Sequence, residues 1–194
     1  MDGGTTAVNT LIVKDGANIS GATISNFTNL TFDATGVSDT NDLTMTATQH
    51  AGFTGTVTAA GAGANGEKIT LTTAASALAL KSSIENYVLG NFTNSVTQGA
   101  TGQVITGDAG DDTVTAITGV TSTSNLAAGT NVVIVSNAAN ISGGTFSATG
   151  GTVGYNLDAA TTGTINVAQA ALIVSAAGTQ NITLSDQASG LTLN

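Results

Sequence analysis

Residues 89–115 divide into three consecutive nine-residue units, LGNFTNSVT, QGATGQVIT and GDAGDDTVT. The eighth residue of each unit is aliphatic (Val96, Ile105, Val114), and the ninth is threonine (Thr97, Thr106, Thr115). The sixth is Asn94, then Gln103, then Asp112. A unit this short holds a turn and a brief strand and little else. The Gly and Asp residues suit a turn with φ > 0, and the aliphatic eighth residue points from its strand into a narrow core. No other feature of the chain restricts the fold as much.

The third unit is the one that fits a wider pattern, G-G-x-G-x-D-x-U-x, where U is a large aliphatic residue. Gly107, Gly110, Asp112 and Val114 match it, and Asp108 replaces the second glycine. This is the nonapeptide of calcium-binding parallel β-rolls, and the stretch resembles the repeats-in-toxin family of secreted bacterial proteins. In such a roll successive units lie on opposite sides, so partners on one side are 18 residues apart, as Asn94 and Asp112 are (112 − 94 = 18). The resemblance implies a Ca²⁺ site of hard oxygen ligands. Asp112 supplies the carboxylate, Gly107 and Gly110 supply turn carbonyls, and Asp108, Asp111 and Asn94 stand beside them. The competing reading is a Gly/Asp turn ahead of a strand, with no metal. Degenerate units occur earlier: AGANGEKIT at 62–70, with Glu67 at the sixth position, and GVSDTNDLT at 36–44, with Asn41. Asp33, Asp39 and Asp42 form a second candidate calcium cluster, for which Asx-turn chemistry is again the alternative.

Triplets such as LIV at 11–13, LTF at 30–32, LTM at 43–45, ITL at 69–71 and LTL at 191–193 recur between Gly, Asn, Ala and Asp. The chain has no proline, as a stacked sheet requires if every rung donates its N–H groups. A longer repeat lies on top: LIVKDGANISGATIS at 11–25 aligns with VIVSNAANISGGTFS at 133–147, and a weaker copy begins at Leu172. Such self-similarity signals stacked units. Together these observations predict an all-β parallel solenoid, or β-roll, with short strands and Gly/Asn/Asp turns. They divide it softly into residues 1–117 and 118–194. Val96, Ile105 and Val114 are expected to face one core, with Ile12 and Ile134 in equivalent rungs. The segment 74–89 has helix-favouring composition, but its ISNF-like IENY at 84–87 points to a non-helical or short helical corner.

Hydrophobic residues make up 41% of the chain but aromatic ones only 4%, which suits a thin layered core. Charged residues are 8%, with Lys14, Lys68 and Lys81 as the only lysines and no arginine, far below the usual share of about a quarter. The net charge of −9 argues against nucleic-acid partners and against anionic membrane surfaces, and it suits bound divalent cations. There is no cysteine to form disulfides. No apolar run reaches membrane-helix length, so membrane insertion is not expected. The opening MDGGTTAVNT has no signal-type stretch; either export is directed from elsewhere or the chain is part of a longer protein.

Catalytic machinery is not evident, and no enzyme activity is expected. The single histidine, His50, reads as a surface residue. There is no G-x-S-x-G elbow and no phosphate-cradling glycine loop with a lysine. The composition over most of the chain resembles bacterial surface-layer proteins and large repeats-in-toxin adhesins. That resemblance implies type I export, an extracellular location on the bacterial cell surface and self-association into a lattice or filament. Cell-surface polysaccharide is a second partner class. The alternatives are an adhesin or glycan-binding segment, or a noncatalytic domain of a secreted hydrolase. Neither end carries an obvious polar cap, which favours head-to-tail association.

Overall fold

In the computed structural model, residues 1–5, 8–33, 41–58, 66–117, 119–135 and 144–157 are described in full, and the strands at 162–166, 170–175, 181–185 and 192–193 by their backbone. The first third holds β1 (Thr10–Val13), β2 (Ala17–Asn18), β3 (Asn29–Phe32), β4 (Asp42–Met45), the short helix α1 (Ala47–Gly52), β5 (Val57–Thr58) and β6 (Lys68–Leu71). Then come β7 (Leu78–Ala79), β8 (Asn86–Val88), β9 (Asn94–Thr97), β10 (Val104–Thr106), β11 (Asp112–Ala116), β12 (Thr123–Asn125) and β13 (Thr130–Val135). The remainder is β14 (Thr145–Ser147), β15 (Thr152–Leu157), β16 (Thr162–Asn166), β17 (Ala170–Ser175), β18 (Asn181–Ser185) and β19 (Thr192–Leu193).

Every ladder is parallel. Odd-numbered strands pair only with odd and even only with even, so consecutive strands alternate between two faces. The odd strands form the sheet β1-β3-β5 and a seven-stranded sheet from β7 to β19; the even strands form a seven-stranded sheet from β2 to β14 and the pair β16-β18. This is the expected parallel β-solenoid. The three nonapeptides form β9, β10 and β11, on alternating faces. Asp112 lies in register with Asn94, at the expected offset of 18 residues. The period is longer near the start: Leu30 pairs with Val57, an offset of 57 − 30 = 27. The ladders run on across residues 117 and 118, through β11 with β13 and β10 with β12.

The core is one layer of side chains between the two faces. On the odd face Leu78, Val96, Val114, Val133 and Tyr155 stack in register; on the even face Leu43, Ile69, Tyr87 and Ile105 do the same. All are buried. Val96, Ile105 and Val114 therefore share the core as expected. Ile12 does not, being 64% exposed. In β1 it is Leu11 and Val13 that face inward, and in β13 the inward residues are Val133 and Val135, with Ile134 between them. A strand alternates its faces, and in both strands the middle residue of the triplet points away from the buried side.

The segment 74–89 contains no helix, only β7 and β8 joined by a corner. Among the described residues the one helix lies elsewhere, at α1. Its start is fixed by a capping box: Thr46 Oγ1 accepts from Gln49 N–H at 3.1 Å, and Gln49 Oε1 accepts from Thr46 N–H at 2.8 Å.

Candidate functional site

The sixth residue of each nonapeptide immediately precedes or opens its strand, and there it turns inward. Asn41, Glu67, Asn94, Gln103 and Asp112 are all buried. A polar side chain in this position must find partners, and the corner backbone supplies them. Asn94 Oδ1 accepts from Ala75 N–H on the preceding rung at 3.0 Å. Asn94 Nδ2 donates to the carbonyls of Gly90 and Phe92 in its own turn, at 3.0 and 2.9 Å. Gln103 binds its corner in the same spirit, donating to Lys81 O and Ile84 O and accepting from Gly99 N–H. Asn131, in the rung above Asp112, accepts from Asp112 N–H at 2.9 Å and donates to Ala128 O.

Asp112 sits between these two asparagines with 1% of its surface exposed. Its Oδ1 accepts from Asn94 Nδ2 at 2.8 Å. Its Oδ2 is buried and has no hydrogen-bond partner. Burial pushes the Asp112 carboxyl up to about 6; the bond from Asn94 works against this, and the nearby charges of Asp111 and Asp108 add to it.

Asp108 and Asp111 are exposed. Asp108 Oδ1 accepts from Ala109 N–H at 2.9 Å, and Asp111 Oδ1 accepts from Thr130 N–H at 2.7 Å on the next rung. Gly107 and Gly110 bound the same corner, and their role is close approach. A Cβ on Gly107 would strike Asp112 Oδ2 and the Leu126 carbonyl, and one on Gly110 would strike the Phe92 carbonyl. Neither lies in the left-handed region expected from the sequence; Gly66, in the degenerate unit at 62–70, does, with φ 64°. The corner thus gathers all six expected residues, and Asn94 meets Asp112 through its amide nitrogen. Among the described residues, no three His, Cys, Asp or Glu side chains converge as a metal-ligand set. In the second candidate cluster, Asp42 forms an ion pair with its in-register neighbour Lys68 at 2.8 Å, and Asp39 lies outside the described residues.

His50 is not on the surface. It is 1% exposed, and its Nε2 lies 2.9 Å from the Tyr87 hydroxyl. Burial, helped by the Lys81 charge, pushes its pKa down to about 4. Its position follows from α1, which the sequence marks with the Thr46-x-x-Gln49 capping signature. The buried Ser124 was also illegible; its Oγ accepts from Ile105 N–H at 3.0 Å in an otherwise apolar column.

Fold and site define the class: a two-faced parallel β-solenoid with a polar column at one corner. No protein family, curated protein or solved structure matches this chain.

Proposed function

We propose that this chain is a structural, self-assembling protein of the bacterial cell surface whose corner at Asp112 takes Ca²⁺. The observation that carries the reading is the unpartnered Asp112 Oδ2. Where Asn94 uses an NH₂ group to satisfy two turn carbonyls, Asp112 brings another oxygen to a turn of the same kind. A buried carboxylate oxygen that receives no hydrogen bond is unfavourable unless a cation or a proton lies beside it. Asp112 Oδ2 with the turn carbonyls of the 107–110 segment supplies hard donors for such a cation, with Asp108 and Asp111 nearby to offset its charge. Asn94 in this geometry orients Asp112 and is not itself a ligand.

The structural role is supported by how the polar column spends its side chains. Asn94 and Asn131 are committed to backbone groups of neighbouring rungs, as Gln103 is beside β10 in the other sheet, which makes them fasteners. The assembly role is supported by the edges: β1, β2 and β19 are outermost in their sheet orders, and an outermost parallel strand is a template for another.

Negative-stain microscopy and melting curves, each with and without millimolar Ca²⁺, test both parts. Ordered polymers and a raised melting temperature are expected with Ca²⁺. A monomer that ignores Ca²⁺ but retains a glycan would transfer the case to the adhesin reading.

A further inference from the structure

The even face is hydrogen-bonded without interruption from β2 to β14, but the odd face is not: among the described residues, no ladder joins β5 to β7. Side chains bridge that gap. Lys81 Nζ donates to Phe53 O at 2.6 Å, Ser83 Oγ donates to Val57 O at 2.6 Å, and His50 Nε2 meets Tyr87 Oη at 2.9 Å. Tyr87 Oη also accepts from Lys81 N–H at 3.0 Å. The helix carrying His50 packs beside β7. The seam is therefore held by a few polar contacts in place of a strand ladder, and the single histidine of the chain lies inside it.

Neutral His50 fits this place and charged His50 does not. The imidazole is buried edge-on against Tyr87, with ring centroids 5.5 Å apart. Its Nδ1 is buried without a partner. An imidazolium carries N–H on both nitrogens, so Nδ1–H would be a charged donor with no acceptor. The titratable groups facing it from the packed elements are the Tyr87 hydroxyl from β8 and the Lys81 ammonium from the corner before β8, and the second is itself a cation. Glu85 is turned elsewhere: it is exposed, and its Oε2 accepts from Glu67 N–H at 2.9 Å.

We propose that this seam is an acid-operated hinge: protonation of His50 releases α1 and the sheet β1-β3-β5 from β7 and β8, while the continuous even face keeps the two parts joined. The sign follows from the depressed folded-state value. Its stabilisation is complete above the ordinary histidine pKa of 6.5 and is lost as pH falls towards about 4. The Asp112 carboxyl, shifted upward, works in the opposite sense over the same range.

Because the chain has one histidine, its ring proton resonances are unambiguous. The experiment titrates them by NMR from pH 7.5 to 3.5 and follows amide exchange, corrected for intrinsic rates, over the same range. The expected result is a ring pKa well below 6.5. Below pH 5, protection over α1 and β5 should drop at least tenfold while β9–β15 retain theirs. His50→Gln, which can still bond Tyr87 without titrating, should keep the seam protected throughout. Ring titration near 6.5 with unchanged protection would overturn the hinge. So would the same acid opening in His50→Gln. Should that variant not fold, the wild-type ring titration and exchange profile decide alone.

Discussion

Asp112 occupies a position that its neighbours above and below fill with asparagine, and the difference is one atom. An amide there can donate to the turn where Oδ2 cannot. Asp112→Asn should therefore raise the melting temperature in the absence of Ca²⁺ and abolish any further rise on adding it; calorimetry with and without chelator checks both. Asp112→Ala should lower stability by roughly 1–3 kcal/mol, since it removes the carboxylate oxygen that accepts from the Asn94 amide and leaves a gap in the buried corner. The wild-type response should also depend on pH. The folded-state value of about 6 is above the ordinary 3.8, so the carboxyl favours the fold when protonated and loses that contribution as pH rises through 6. In the proposed site calcium and the proton would compete for the same oxygen. Its effect on melting should be small at pH 5 and full at pH 7.5, and an equal shift at both would remove Asp112 from the metal account.

At the scale of the element, rung stacking sets the demands. The corner column runs through Phe92, Gly110, Gly129 and Gly151, each glycine lying against a carbonyl of the rung before it. Gly110→Ala should cost several kcal/mol, because the obstruction is backbone and cannot rotate away. Gly102→Ala, where a Cβ would meet nothing within 4 Å, should change stability by less than about 1 kcal/mol. Urea denaturation of the two variants separates close approach from simple loss of glycine, and equal costs would contradict the stacking account. The nonapeptide stretch makes both faces regular, while the longer turns before it make room for α1. A six-residue helix is marginal alone; it persists here through its capping box and through burial of Ala47 and His50.

At the scale of the whole molecule, stability is distributed along a ladder, and neighbouring rungs supply most of each other's contacts. In the proposed assembly, association through an outermost strand would extend a sheet already present. A heterologous contact of this kind propagates rather than closes. Light scattering in calcium buffer should show growth of wild-type protein with concentration, and Leu193→Lys in β19 should reduce it, because a lysine on an edge strand discourages pairing. Growth unaffected by that change would place the contact on a flat face instead.

The sequence alone carried the parallel stacking and, over the nonapeptides, the 18-residue period. Those follow from local rules: eighth-position aliphatics, sixth-position polar groups and an absence of proline act within one or two rungs, and the nonapeptides repeat them. The meeting of Asn94 with Asp112 across 18 residues was legible for the same reason. Tertiary structure decided the rest. A triplet such as LIV does not say which of its residues faces inward, since only the partner rung fixes that, and Ile12 was misplaced accordingly. Gly107 and Gly110 were legible as turn residues, but their need for glycine comes from carbonyls of rungs on either side, Leu126 above and Phe92 below. His50 looked isolated because its partners, Tyr87 and Lys81, are 37 and 31 residues away (87 − 50 and 81 − 50). Burial of a lone polar side chain depends on what the chain later folds over it, and no local pattern around residue 50 carries that information.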